Sequence, residues 1–445
     1  MINNAFTVAR SNIINLSKKS FVRNVFVVAS GTVIAQIITM AFLPIISRLY
    51  GPEAFGLFGS FAAMTAVITP VAALTYPAAI VLSKSDSDAR VVARLSLYIS
   101  LMFAGFSAII ILFFGNSISD LLQLQEIRSF LWLIPLVLIF SAWVQVNQQW
   151  LIRKQYFKLK AKLYVFQAFI THCSKSVVGL FNPVGAALII LYILGQAFHA
   201  LMINIGLRRK SELMNELSKP ISIENIKSIA RRHYDFPFYR APQLFITAAS
   251  GSIPILIITA FFGPVSAGLF VMCKKILYKP TELIGNSVGD VFYPTATKTA
   301  NDKKMIAPLI IKSTIGLVVI GLPILSLFVF FGPSLFRFVL GQDWEVAGNY
   351  AQWISLWTFM VLVDKPTIRT LPIISAQGFY LVYTIISRIL SIIVFMIVAY
   401  LYKSAIIAIA TLSIFYMLHH SLVIVVVIFK SIKYDQMNRP QHNNE

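Results

Sequence analysis

Lys275, Lys279, Glu282 and Asn286 follow one another at spacings of four, three and four inside an otherwise apolar stretch. On a helix that spacing puts them on one face. Asp290 lies close to the same line, and Lys274 about a third of a turn away. Four further charges stand deep in apolar runs: Lys175, Asp364, Lys365 and Arg388. Cations outnumber carboxylates in this set, so pairing among themselves cannot neutralise them. The chemistry on offer is reception of an anionic guest. Lys175, Lys275 and Arg388 are the deepest; Arg240, Lys312 and Arg369 stand nearer the ends of their runs, where long side chains reach the interface.

What positions these residues follows from composition. The chain has 445 residues, 58% hydrophobic and 12% charged, with a mean hydropathy of +0.77. A soluble protein carries roughly 25% charged residues, so most of this exterior must face lipid. Spans of about 20 residues are the natural unit, because a helix of that length crosses about 30 Å of hydrocarbon. A charge near the bilayer centre costs about 2.5–3.5 kcal/mol on insertion scales, which makes each of those above a functional residue by default.

The apolar runs lie near Phe21–Leu49, Ala54–Leu82, Val91–Phe114, Phe130–Leu151, Ala161–Phe181 and Pro183–Ile205. After a polar segment, Gly206–Asp235, they resume near Phe236–Phe262, Pro264–Tyr293, Ile306–Phe331, Ala347–Leu371, Phe379–Leu401 and Ser404–Phe429. Continuous apolar runs must satisfy their own backbone groups in lipid, which predicts helices; period-two alternation of a barrel is absent. The expectation is an all-α polytopic membrane protein of about twelve transmembrane helices. Its parts are a six-helix half over 1–206, a basic linker over 207–235, a second six-helix half over 236–430 and a tail over 431–445.

Charge placement sets the orientation. Alternate loops hold nearly all of the Lys and Arg, among them Lys84, Arg90, Arg94, Arg153, Lys154, Arg208 and Arg209, whereas the other loops hold only Arg48, Arg128, Arg337 and Lys403. The positive-inside rule then puts both termini and the linker in the cytoplasm. It also accounts for most of the net charge of +21 without nucleic acid. No cleavable secretory signal is expected, since the first apolar run follows some twenty polar residues and lacks a small-residue cleavage site. In the linker, Pro220, an N-cap Ser222, and Ile223, Ile226 and Ile229 at helical spacing predict an amphipathic helix on the membrane surface.

The two halves repeat. Gly51-Pro52-Glu53-Ala54-Phe55-Gly56-Leu57-Phe58 recurs as Gly263-Pro264-Val265-Ser266-Ala267-Gly268-Leu269-Phe270. Tyr76-Pro77-Ala78-Ala79 recurs as Tyr293-Pro294-Thr295-Ala296, and Phe113-Phe114-Gly115-Asn116-Ser117 as Phe330-Phe331-Gly332-Pro333-Ser334. Six runs separate the matches, an even number, so both halves run in the same direction. A parallel repeat of this kind builds a substrate path between the halves.

Several motifs are decoys. Gly285-Asn286-Ser287-Val288-Gly289 matches the nucleophile elbow, which needs a strand-to-helix turn; inside an apolar helix, close packing explains it. Asp86-Ser87-Asp88 resembles a metal-holding acidic pair, and reads better as helix capping. No Gly-Lys dipeptide exists for a phosphate-binding loop, so ATPase chemistry is not expected. His419 and His420 are adjacent and cannot hold one ion from the same face, so hydrogen bonding between helices is expected of them, and of His172 and His199. Cys173 and Cys273 sit in apolar runs, where a disulfide framework is not expected.

Ala35-Gln36, Pro44, Ser47-Arg48-Leu49-Tyr50-Gly51-Pro52-Glu53-Ala54-Phe55-Gly56, Tyr76-Pro77-Ala78-Ala79-Ile80-Val81-Leu82 and Lys84-Ser85-Asp86 together resemble the Wzx-type oligosaccharide flippases. These belong to the multidrug/oligosaccharidyl-lipid/polysaccharide exporter (MOP) superfamily. Ala230-Arg231-Arg232-His233-Tyr234-Asp235-Phe236-Pro237 resembles that family's lead into its seventh span. The sequence departs from many relatives around Thr75-Tyr76-Pro77, where they carry Arg and Glu. The resemblance implies two parallel six-helix halves of the MATE and MurJ kind, enclosing a cavity that opens to each side in turn. It implies no enzyme activity and no cofactor beyond a coupling H+ or Na+. The implied substrate is undecaprenyl-diphosphate carrying an O-antigen or related repeat unit, moved across the bacterial inner membrane. Membrane lipids, a polysaccharide polymerase and a chain-length regulator are the implied partners. On this reading Lys175, Lys275, Lys279 and Arg388 attract the diphosphate, with Lys274 and Lys365 beside them. Glu282, Asp290 and Asp364 balance charge or carry the coupling proton. The rivals are a multidrug exporter of the same superfamily, whose cationic guests a basic cavity would repel, and an O-antigen polymerase or ligase, whose large periplasmic loop has no counterpart here.

Overall fold

The computed structural model describes the backbone of residues 2–210 and 223–437, and their side chains except at 2–26, 210, 223 and 279. Among the described residues every regular element is helical. Among the same residues eight stretches are long and apolar enough to cross a membrane: Val27–Val71, Asp86–Leu121, Gln125–Arg153, Gly185–Arg209, Phe236–Asn301, Ala307–Leu340, Gln377–Tyr402 and Ala405–Met437. Their outward faces are apolar, with Phe113, Phe181, Phe330 and Phe338 all exposed, as a lipid-facing surface requires.

Two of the helices are too long for one crossing. α1 (Ile2–Ile68) and α8 (Ala241–Asn301) bend at Gly51 (φ 67) and Gly263 (φ 79). Positive φ is where glycine is favoured, and these are the first glycines of the Gly-Pro repeat. The repeat is therefore a repeated bend. The chain clusters into two compact units, one of residues 1–50 and 60–253, the other of residues 51–59 and 254–445.

The first unit packs α3 (Asp86–Leu121) and α6 (Gly185–Lys210) on α4 (Ile134–Arg153), with α5 (Phe157–Phe181) chiefly against α6. Between α1 and α3 the chain turns through Leu74 and Thr75, both at positive φ, into the short α2 (Ala79–Leu82). Thr75 Oγ1 donates to the Phe236 carbonyl at 3.0 Å and Tyr76 Oη to that of Ala230 at 3.3 Å. Polar side chains here thus hold the lead into α8. Asp86-Ser87-Asp88 begins α3, with Ser85 as N-cap accepting from the Asp88 N–H at 3.1 Å. Asp86 pairs with Arg153 and Lys154, and Asp88 with Arg232.

The linker helix α7 (Ile223–Arg232) forms where its isoleucine spacing predicts. Its apolar face is not laid on lipid, however. Ile229 is buried and, with Ile226, packs into a core that includes Tyr76, Val92 and Leu151. An amphipathic helix buries its stripe against apolar surface, and here that surface is supplied by the protein's own core. Pro220 and Ser222, and tail residues 438–445, lie outside the described residues.

The second unit packs α9 (Ala307–Leu340) on α10 (Glu345–Val363), with α13 (Ala405–Met437) against α10 and against α12 (Gln377–Tyr402). The Asp435 carboxylate accepts from the N–H groups of Ile306 and Ala307 at 2.9 and 2.8 Å. A residue of α13 thereby satisfies orphan donors at the start of α9. The 51–59 segment is held by a reciprocal contact: a Cβ on Gly56 would lie 1.7 Å from the Pro264 carbonyl oxygen, and one on Gly268 1.8 Å from that of Pro52. Backbone meets backbone at equivalent positions of the two repeats. Phe55 completes the seat edge-on to buried Trp344, ring centroids 5.4 Å apart.

Candidate functional site

The charged stripe of α8 belongs to the second unit. Lys274, Lys275 and Glu282 are half-buried there, whereas Asn286 and Asp290 are exposed. The side chain of Lys279 lies outside the described residues.

The six-residue α11 (Lys365–Thr370) places the next charges. Lys365 and Arg369 are four apart, hence on one face. That face lies on Gly285 and Gly289 of α8, also four apart. A Cβ on Gly285 would come within 2.9 Å of Cγ and Cε of Lys365, and one on Gly289 within 3.0 Å of Nε of Arg369. The nucleophile-elbow decoy is therefore the groove in which two cations rest. Arg369 Nη2 reaches Asp290 Oδ1 at 2.7 Å, an exposed pair.

Asp364, at the C-terminal cap of α10, is fully buried. Its Oδ2 lies 2.5 Å from His420 Nδ1 on α13, and its Oδ1 and His420 Nε2 have no hydrogen-bond partner among the described residues. Hydrogen bonding between helices, expected of the histidines, holds for His420. His172 does likewise in the first unit, Nε2 lying 3.1 Å from Thr39 Oγ1. The ring nitrogens of His419 are instead without partners among the described residues; the ring stacks on Tyr383 at 4.8 Å, whose hydroxyl donates to the His419 carbonyl.

Arg388 is half-buried on α12, its guanidinium 4.3 Å from the centre of the Tyr416 ring. Tyr416 packs on Trp357 at 4.7 Å, and Trp357 on Tyr278 at 6.3 Å. An aromatic ledge from α8, α10 and α13 thus supports the cation by its ring quadrupole. No carboxylate among the described residues lies within 4.0 Å of Lys275, Lys365 or Arg388. Lys175, by contrast, is in the first unit: it is buried on α5, its backbone carbonyl accepting from Tyr50 Oη at 2.9 Å.

The structure therefore pairs Asp290 with Arg369, lays Lys365 beside Arg369 on the α8 glycines, pairs Asp364 with His420, and holds Arg388 on its ledge. Tyr278, Trp357, Tyr383 and Tyr416 carry no mark in the sequence, since each meets its partner on another helix. The glycine groove was readable, as two matching spacings of four.

Among the described residues, helices with apolar outward faces, bent at a repeated Gly-Pro and carrying cations inside stretches long enough to cross a membrane, define a polytopic membrane protein. A MATE-family multidrug resistance transporter of the MOP superfamily, inward-facing, superposes with a TM-score of 0.69 at 13% identity, over 92% of this chain and 96% of its own. The lipid II flippase MurJ, inward closed, gives 0.68 at 11% identity, over 93% and 90%. A MOP-superfamily transporter from Pyrococcus furiosus gives 0.54 at 12% identity, over 94% and 96%. No curated protein matches the sequence. The family model for polysaccharide biosynthesis proteins matches residues 45–349. The chain belongs to that family.

Proposed function

We propose that this protein is a Wzx-type flippase. It moves undecaprenyl-diphosphate-linked oligosaccharide, an O-antigen or related repeat unit, from the cytoplasmic to the periplasmic leaflet of a bacterial inner membrane. The chain crosses twelve times, termini in the cytoplasm, and alternates access to a cationic path. The observation that carries this reading is the set of cations without carboxylate partners among the described residues, Lys275, Lys365 and Arg388, in a chain of the polysaccharide biosynthesis family. Such cations are costly in a membrane unless a guest neutralises them, and a diphosphate does so with charge-assisted hydrogen bonds. Lys175, Lys274 and Lys279 join them as substrate contacts. Glu282, Asp290 and Asp364 balance charge or carry a coupling H+; Na+ is the alternative coupling ion. The MurJ likeness supports a lipid-linked sugar as substrate.

Proteoliposomes carrying a fluorescent undecaprenyl-diphosphate disaccharide test the reading. The protein should carry inner-leaflet lipid outward, where a membrane-impermeant quencher reaches it. No translocation of this probe, together with export of a cationic dye, would establish the rival multidrug reading, which the MATE likeness alone favours.

A further inference from the structure

The beginning of α3 and the ends of α4 and α6 enclose a cavity of about 170 Å³ in the first unit. Trp143, Trp150 and Asn147 line it from α4, Arg94 from α3, and Asn204 and Arg208 from α6; no carboxylate among the described residues does. Asn147 is fixed by its amide donating to the Ala200 carbonyl at 3.1 Å. Arg94 is half-buried and Arg208 exposed, and Trp143, Asn204 and Arg208 have no hydrogen-bond or ion-pair partner among the described residues. The flippase reading uses none of these groups.

The surface beside the cavity says what would fill it. On α3, Tyr98 and Leu101 stand four and seven residues beyond Arg94, and both are exposed. On α6, Ile205 and Leu201 stand three and seven residues before Arg208, and they too are exposed. Those spacings keep each pair on the same helical face as its arginine. Two apolar tracks therefore run from two guanidiniums, with two tryptophan rings, a side chain enriched at membrane interfaces, lining the cavity between them. A free anion has no use for the tracks or the indoles, and an uncharged lipid none for the arginines. Guanidinium matches phosphate oxygens in pairs, and basic cavities between membrane helices at the cytoplasmic side suit anionic headgroups.

We propose that this cavity binds the phosphodiester headgroup of an anionic phospholipid, its acyl chains lying along the α3 and α6 tracks. The leaflet is cytoplasmic on the orientation proposed above. The bound lipid ties α3 to α6 across α4.

Thermal unfolding of the detergent-purified full chain, with added phosphatidylglycerol, phosphatidylcholine or inorganic phosphate, tests this. Phosphatidylglycerol should raise the midpoint of the unmodified protein and of K227Q/R231Q, which removes two exposed charges from α7. R94Q/R208Q should bind it about tenfold more weakly, a loss of about 1.4 kcal/mol. N204W, which fills the cavity and keeps both arginines, should lose the shift as well. An equal shift in R94Q/R208Q or N204W overturns the proposal, as does an equal shift from phosphatidylcholine or from inorganic phosphate. If R94Q/R208Q does not fold, N204W decides. No step of the assay involves translocation, so this site and the flippase reading fail separately.

Discussion

Asp364 and His420, fifty-six residues apart, share a hydrogen bond of 2.5 Å in the interior of the second unit. Each also keeps an atom without a partner among the described residues, Oδ1 of the acid and Nε2 of the imidazole. An ionised carboxylate in such surroundings needs compensation, and a hydrogen bond to a buried imidazole supplies part of it.

If the pair carries the coupling proton, D364N keeps the shape and removes the acid. Protein level and gradient-free exchange of the lipid-linked probe should persist, whereas stimulation by an imposed pH difference should vanish. D364A should instead destabilise, by about 1–3 kcal/mol, because it leaves His420 buried without its acceptor. Normal pH-driven transport by D364N excludes a coupling role for this residue.

Lys275 is half-buried without a carboxylate partner among the described residues. K275M keeps much of the stem and removes a charge that stability does not need. The thermal midpoint should therefore stay level or rise, while complementation of a flippase-null strain is lost. R388A should also fail to complement with protein level intact, although it removes the stacking on Tyr416. Complementation by both variants would sink the assignment of these two cations to the substrate.

Gly56 and Gly268 face carbonyl oxygens that no side chain can displace. G56A and G268A should each destabilise by about 1–3 kcal/mol or more, the range of overpacked sites. Gly105 offers the contrast, since a Cβ there meets nothing within 4 Å. G105A lies mid-helix and should be neutral or stabilise by up to about 1 kcal/mol. Thermal midpoints of the three variants check the ordering.

Arg153 donates to Asp86 Oδ1 at 2.9 Å, and to the carbonyls of Ile80 and Ser83 at 2.8 and 2.7 Å. One guanidinium thus fastens the end of α4 to the turn between α2 and α3. R153A should destabilise by about 1.5–3 kcal/mol, as for loss of hydrogen bonds to a charged group. R153K should recover little, because an ammonium does not reproduce the planar fork. Full rescue by lysine would show that charge alone matters there.

The sequence by itself determined that the chain is helical and membrane-spanning, because apolar run length and backbone satisfaction in lipid leave no other solution. It located the repeated Gly-Pro pair, since matching points of two halves need no partner to be recognised, although that each pair is a bend came from the structure. It also located the charged stripe and the amphipathic linker helix from periodicity alone. Tertiary structure decided what those elements meet. That Ile229 packs on protein rather than lipid, that Gly285 and Gly289 seat Lys365 and Arg369, that Tyr416 carries Arg388, and that Asp364 finds His420 all depend on contacts between distant helices. Helical spacing says which residues share a face; only the packed bundle says what that face touches.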